Sequence, residues 1–226
     1  MRCLLGLILF FLIVVSHAQD MPYARHLVDT LTSPTFWGRG YTKNGMTKSA
    51  DFIEAEFKKA GLQSFNGKFQ QTFSYSVNTF PGKMEVSIDG KQLTPGVDFI
   101  VGPESRGAKA TGSLVKQDSA RFVDVKNKIE VVLRDKLTWS VSNESASYTR
   151  IEIDKNKVSK SPSSISIAIE NKLVPKFKAA NVCGFVKGTQ KPDSILVITA
   201  HYDHLEAWAM LLIFPERMIM PAVWRC

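Results

Sequence analysis

The chain opens with an apolar run at residues 4–15, then changes its hydrophobic period twice. Tyr23, Leu27 and Leu31, with Ala24 and Val28 beside them, recur at helical spacing. This predicts a short amphipathic helix, ended by Ser33-Pro34. His26 lies on it, where a surface or capping role is expected. Phe36-Trp37-Gly38-Arg39-Gly40 reads as a loop with two aromatic anchors. Its glycines permit a tight backbone, and Arg39 is able to tie it down through several hydrogen bonds. A second helix is predicted with Thr47 as N-cap, Asp51 and Glu54 early, Lys58 and Lys59 late, and Gly61 as its end. Ala50, Ile53, Phe57 and Ala60 would form its inner stripe.

From Gln70 the period switches to alternation. Strands are predicted at 70–77, 84–88, 92–93, 99–101, 113–115, 129–133, 148–153 and 165–169, punctuated by Gly, Pro, Asn and Ser. Asp89-Gly90 is a hairpin signal between the second and third of these. Residues 155–164 form a polar loop. An apolar strand follows at 180–188, then a turn at 189–193. The β-branched run Ser194-Ile195-Leu196-Val197-Ile198-Thr199-Ala200 comes next and reads as a strand buried on both faces. These last two strands are expected to pair as a hairpin. No internal repeat is present.

Composition changes this picture little. The 226 residues are 44% hydrophobic and 22% charged, within the globular range. The net charge of +8 comes from scattered lysines, densest at Lys155, Lys157 and Lys160. Without a basic stripe interleaved with aromatics, nucleic acid is not expected as a partner. Residues 1–18 read as a secretory signal: Arg2 supplies the positive end, the apolar run is too short to span a membrane, and Ser16-His17-Ala18 suits cleavage before Gln19. No later segment is long and apolar enough to span, so an exported chain, secreted or periplasmic, is expected. Cys3, Cys183 and Cys226 form no disulfide framework, and Cys183 reads as a small buried hydrophobe. Asn143-Glu144-Ser145 fits a glycosylation sequon, relevant only in a eukaryotic host.

The candidate chemistry sits where the last strand ends, at His201-Tyr202-Asp203-His204. Neutral imidazole is the commonest side-chain metal ligand. A carboxylate two positions on shares its face of an extended chain, so Asp203 is placed to orient His201. A strand end with ordinary hydrogen bonds is the alternative at this point.

Two blocks around these residues carry a resemblance. Ala180-Asn181-Val182, Gly188, Asp193 and the run from Val197 to Leu205 resemble the family-28 metallopeptidases. So do Gly38-Arg39, Thr42, Gly45, Ala50, Phe52-Ile53, Phe57 and Gly61-Leu62. The likeness covers roughly residues 22–76 and 178–205. It implies zinc aminopeptidase or carboxypeptidase ancestry, with two zinc ions bridged by a carboxylate and a peptide as substrate. His201 would be a zinc ligand, Asp203 would hold its other ring nitrogen, and His204 would be structural. Metal-activated water and a glutamate general base would do the chemistry.

The chain departs from that pattern after Leu205. The family continues with glycines and an Asn-Asp-Asn-type segment that supplies the bridging aspartate. Here Glu206-Ala207-Trp208 begins a tail that also holds Met210, Met218, Met220 and Trp224. Codons exist for Glu206 to Cys226 such that one extra G before them restores GGMGDASYFPGANDNASGVAM. The expectation is a one-base deletion, real or a sequencing error. Glu206 and Glu216 then belong to the altered tail and are not recruited as ligands.

The expected architecture is α/β: the N-terminal part of a three-layer zinc-exopeptidase (phosphorylase/hydrolase-like) domain with an incomplete sheet. Its parts are a signal peptide (1–18), N-terminal helices and first strand (19–76), a β-rich insertion (77–177), strands ending in His-x-Asp (178–205) and an aberrant tail (206–226). The expected function is a metal-dependent exopeptidase lineage. This chain would be an inactive fragment that lacks the general base and does not hold zinc stably. A secreted, non-catalytic β-rich binding module is the alternative, and attachment of the basic surface to membranes or polyanions ranks last.

Overall fold

The computed structural model describes residues 20–190 and 194–204. The signal-like segment 1–18 and the tail 206–226 lie outside the described residues. The fold is α/β, with two helices feeding a series of mainly antiparallel strands.

Helix α1 spans Met21–Leu31, close to its predicted span. The Asp20 carboxylate accepts the Tyr23 N–H at 2.9 Å, and a proline near the N-terminus suits the first turn. No residue of α1 is fully buried. Its tie to the next helix is polar: the Tyr23 hydroxyl donates to Glu56 Oε2 at 2.5 Å.

Helix α2 spans Gly45–Lys59 and starts earlier than the sequence suggests. Thr47 is not its N-cap. The chain arrives through left-handed residues, Lys43 at φ 48° and Asn44 at φ 60°, and Met46 N–H bonds to Gly40 O at 2.9 Å. That turn sets the start, and Asn44 caps without a side-chain hydrogen bond. Gly45 is required here because a Cβ would lie 2.4 Å from the Phe36 carbonyl oxygen. The buried face is Met46, Ser49 and Ala50. Ile53 and Phe57 are half-buried, and Ala60 is exposed rather than internal.

Strand β1 (Gln70–Thr79) pairs antiparallel with β11 (Lys172–Val182) in a two-stranded ribbon. The register slips between Tyr75/Phe177 and Val77/Val174. Pro175 falls within the slip, where a residue without an N–H is tolerated.

Everything between these strands forms a two-sheet body. One sheet has the order β3-β2-β10-β5, from Lys91–Leu93, Met84–Ile88, Ser164–Ile169 and Ala108–Ser113. The other has the order β4-β9-β8-β7-β6, from Phe99–Val101, Thr149–Asp154, Ile129–Arg134, Arg121–Asp124 and Val115–Lys116. β8 and β9 run parallel. The alternating inner residues of both sheets, among them Val86, Ile167, Phe99, Phe122, Val131 and Ile151, make one apolar core. The Asp89-Gly90 turn is as predicted, with φ of 49° and 79°, the left-handed pair that a tight hairpin demands.

One predicted strand is absent. Residues 194–200 join no ladder among the described residues, and Ile195, Leu196, Val197 and Ile198 are 85%, 87%, 71% and 68% exposed. A β-branched run becomes a strand only where a neighbour takes its N–H and C=O groups. The neighbour expected for it, at 180–188, pairs along one edge with β1 up to Val182, and Phe185 exchanges backbone bonds with Gln63 at 2.9 Å; among the described residues the other edge carries no ladder, because 194–200 is not laid against it. Cys183 is a free thiol and half-buried rather than buried.

Candidate functional site

The residues singled out by sequence lie on the segment 201–204, held from two sides. On one side the ribbon reaches it: the Tyr202 hydroxyl donates to the Ala180 carbonyl. Burial raises the Tyr202 phenol above its ordinary pKa, and the charge of Asp203 adds to this.

On the other side the loop before α2 reaches it. Trp37, Gly38 and Arg39 all have positive φ, at 47°, 64° and 57°. This left-handed stretch turns both the side chain and the carbonyl of Arg39 toward 201–204. Its Nε donates to the Tyr202 carbonyl at 2.9 Å and Nη1 donates to the Leu31 carbonyl at 2.8 Å. Its own carbonyl accepts the His204 N–H at 3.3 Å. Arg39 is 7% exposed. Burial lowers its pKa, while Asp203 works in the opposite direction. Sequence reading placed Arg39 as a tie within its own loop. Its reach to position 202 was invisible because it spans 163 positions.

His201 and Asp203 are brought together. Nδ1 of His201 lies 3.0 Å from the Asp203 main-chain oxygen and 3.6 Å from its Oδ1. Their side chains are 68% and 52% exposed, so the pair faces solvent. His204 is half-buried and His26, on α1, is exposed.

The donor set decides what this arrangement can hold. Zinc sites use three or four protein ligands. Among the described residues, no group of three His, Cys, Asp or Glu side chains comes together. The ring nitrogen of His201 is in hydrogen-bond range of the Asp203 main-chain oxygen rather than of its carboxylate, and these two residues alone do not fit a zinc ion. Glu206 and Glu216 fall outside the described residues. No described helix is long and apolar enough to cross a membrane.

A shallow depression of about 290 Å³ lies elsewhere, on the four-stranded sheet, lined by Glu85, Ser87, Gln92, Lys109, Thr111 and Ser166 among others. These are small or polar side chains of the sheet's outer face.

No family model matches the chain, and no curated protein matches it. Among solved structures it is similar to an aminopeptidase from Aneurinibacillus sp. strain AM-1, at 13% identity and a TM-score of 0.51. The similarity covers 76% of this chain and 49% of that one. This chain therefore spans about half the length of the aminopeptidase that it matches. At this identity the likeness shows a shared fold.

Proposed function

We propose that the chain derives from the family-28 zinc exopeptidases and retains one ligand position of a two-ion centre. The observation that carries the reading is the His201–Asp203 pair, with Nδ1 of an exposed ring 3.0 Å from the Asp203 main-chain oxygen and the Asp203 carboxylate 3.6 Å away. That leaves Nε2 available to an ion. The fold shared with an aminopeptidase supports it. So do the motif blocks around Gly38-Arg39 and 180–205.

In this reading the complete ancestor cleaves a terminal residue from a peptide, and zinc supplies activated water and carbonyl polarisation when bound. The described residues provide too few donors for that ion, so this polypeptide is an inactive fragment, exported through residues 1–18. The tail from Glu206 is the product of a one-base deletion. Its support is that codons can be chosen for Glu206 to Cys226 such that a single added G gives a glycine-rich, Asn-Asp-Asn-containing continuation.

The test has two parts. First, the DNA is reread across the Leu205 and Glu206 codons. Second, this chain and a frame-restored version are assayed for bound zinc and for hydrolysis of aminoacyl p-nitroanilides. Zinc and hydrolysis only in the restored protein are expected. A clean read with no in-frame continuation, together with no zinc in either protein, would sink the proposal. That second outcome would favour a non-catalytic binding module. Its supporting observation is that the two-sheet body has an apolar core of its own.

A further inference from the structure

We infer that Arg39 is a positioning residue, which fixes the His201 proton on Nδ1. The inference rests on reading 201–204 as the remnant site, and goes beyond it by assigning a role to a residue more than 160 positions away.

The geometry carries it in three steps. Asp203 stands between two peptide groups, and Arg39 holds both. Its guanidinium takes the carbonyl of the Tyr202–Asp203 peptide at 2.9 Å, and its backbone carbonyl takes the N–H of the Asp203–His204 peptide at 3.3 Å. That second peptide is the one whose carbonyl lies 3.0 Å from His201 Nδ1. One peptide unit thus gives its N–H to Arg39 and its C=O to His201. Hydrogen bonds linked this way polarise one another in the same direction.

The groups facing Nδ1 are a carbonyl and a carboxylate, both acceptors. In the neutral ring one nitrogen donates and the other accepts. Nδ1 must therefore carry the proton, leaving the lone pair on Nε2. A free neutral imidazole favours the opposite arrangement, so the preference at position 201 is imposed by its surroundings. Arg39 imposes it because it is anchored itself: Nη1 is tied to the end of α1 at Leu31, and the side chain is buried. Its left-handed backbone lets one residue present a donor and an acceptor to the same short segment.

The experiment is a long-range ¹H–¹⁵N correlation of the imidazoles in this full chain, free of metal, at a pH where histidine is neutral. The exposed His26 serves as an internal reference. In the wild-type protein His201 is expected as the Nδ1–H tautomer and His26 as mainly Nε2–H. In Arg39→Met, His201 should revert to mainly Nε2–H and the His204 amide should shift. Arg39→Lys should restore part of the Nδ1–H population.

A wild-type His201 in the Nε2–H form overturns the inference. So does an Arg39→Met protein that keeps its core amide dispersion and its Nδ1–H tautomer. Should Arg39→Met fail to fold, the wild-type protein decides through the scalar coupling across the Arg39 Nε–H to Tyr202 C=O bond. Its presence alongside Nδ1–H supports the role, and its absence removes it. Failure of any version to take up zinc would count against the peptidase reading alone, because the tautomer is measured without metal.

Discussion

Asp89 accepts the backbone N–H of Ser163 at 3.0 Å, although the two residues are 74 positions apart. The same Oδ1 also accepts the Ser163 hydroxyl at 2.9 Å and the Ser164 N–H at 2.9 Å. One carboxylate at the β2–β3 turn therefore pins the start of β10. Burial pushes the Asp89 carboxyl up, but the hydrogen bonds from Ser163 and Ser164 outweigh it, and the net pKa is lowered. A group lowered on folding adds stability above its unfolded pKa and loses it as pH falls through the folded value. Asp89→Ala should cost about 1–2 kcal/mol at neutral pH. Asp89→Asn should cost less, since asparagine tolerates the left-handed backbone and still accepts. Urea unfolding should show the gap between wild type and Asp89→Asn closing as the pH drops below the ordinary aspartate range.

Phe122 is 1% exposed in the shared core, whereas Val125, just beyond the same strand, is 78% exposed. Phe122→Ala should lower unfolding free energy by about 3–5 kcal/mol through lost burial and a residual cavity. Val125→Ala should stay within about 0.5 kcal/mol. Chemical denaturation of the two variants measures the difference. Equal effects would mean that the two sheets do not share one core.

Arg150 joins two sequence-distant acids. It meets Glu130 at 2.7 Å and Glu104 at 2.9 Å, and lies over the Tyr148 ring at 5.4 Å. Arg150→Lys replaces a planar fork with a point charge and should recover little of the contact. Arg150→Met should cost about 1–3 kcal/mol. In a double-mutant cycle with Glu130→Gln, the two changes should be non-additive, which thermal unfolding at two salt concentrations will read out.

Gly45→Ala would place a methyl carbon 2.4 Å from the Phe36 backbone oxygen. The loop carrying Arg39 must then shift, at a cost of about 1–3 kcal/mol. Because Met46 N–H is bonded to Gly40 O next to Arg39, the shift should reach 201–204. Loss of amide protection at His204 by hydrogen exchange is the expected sign. Unchanged protection would mean that the loop and the site are uncoupled.

Ile195 to Ile198 present four consecutive exposed apolar side chains without charge or proline. Such a stretch favours intermolecular strand pairing. Val197→Lys should raise the concentration at which light scattering first appears, while leaving the unfolding midpoint of the two-sheet body unchanged.

What the sequence made legible depended on how local the determinant was. Strand β2 and the hairpin at Asp89-Gly90 were readable because alternation and turn chemistry lie within a few residues. β4 was readable as a short apolar run, Phe99-Ile100-Val101. β7 was missed: Arg121 and Asp124 bracket just two apolar positions, and the strand exists because β6 and β8 flank it. β11 was read only near its end, since Pro175 and alternating lysines mask a strand whose register depends on β1. The opposite error fell on 194–200, where strong β propensity met no partner among the described residues. At the site, the nearness of Asp203 to His201 followed from a two-residue spacing. The role of Arg39 did not, because it arises from a backbone twist and a contact across most of the chain.

The β1–β11 ladder brings Thr79 and Lys172 opposite one another. The whole two-sheet body thus leaves and re-enters the rest of the chain through neighbouring points, about 4.5–5.5 Å apart. A short turn could close the same gap. Chain entry and exit thus lie side by side at one end of the ribbon, and none of the hydrogen bonds that join Arg39 to the 201–204 segment passes through the two-sheet body.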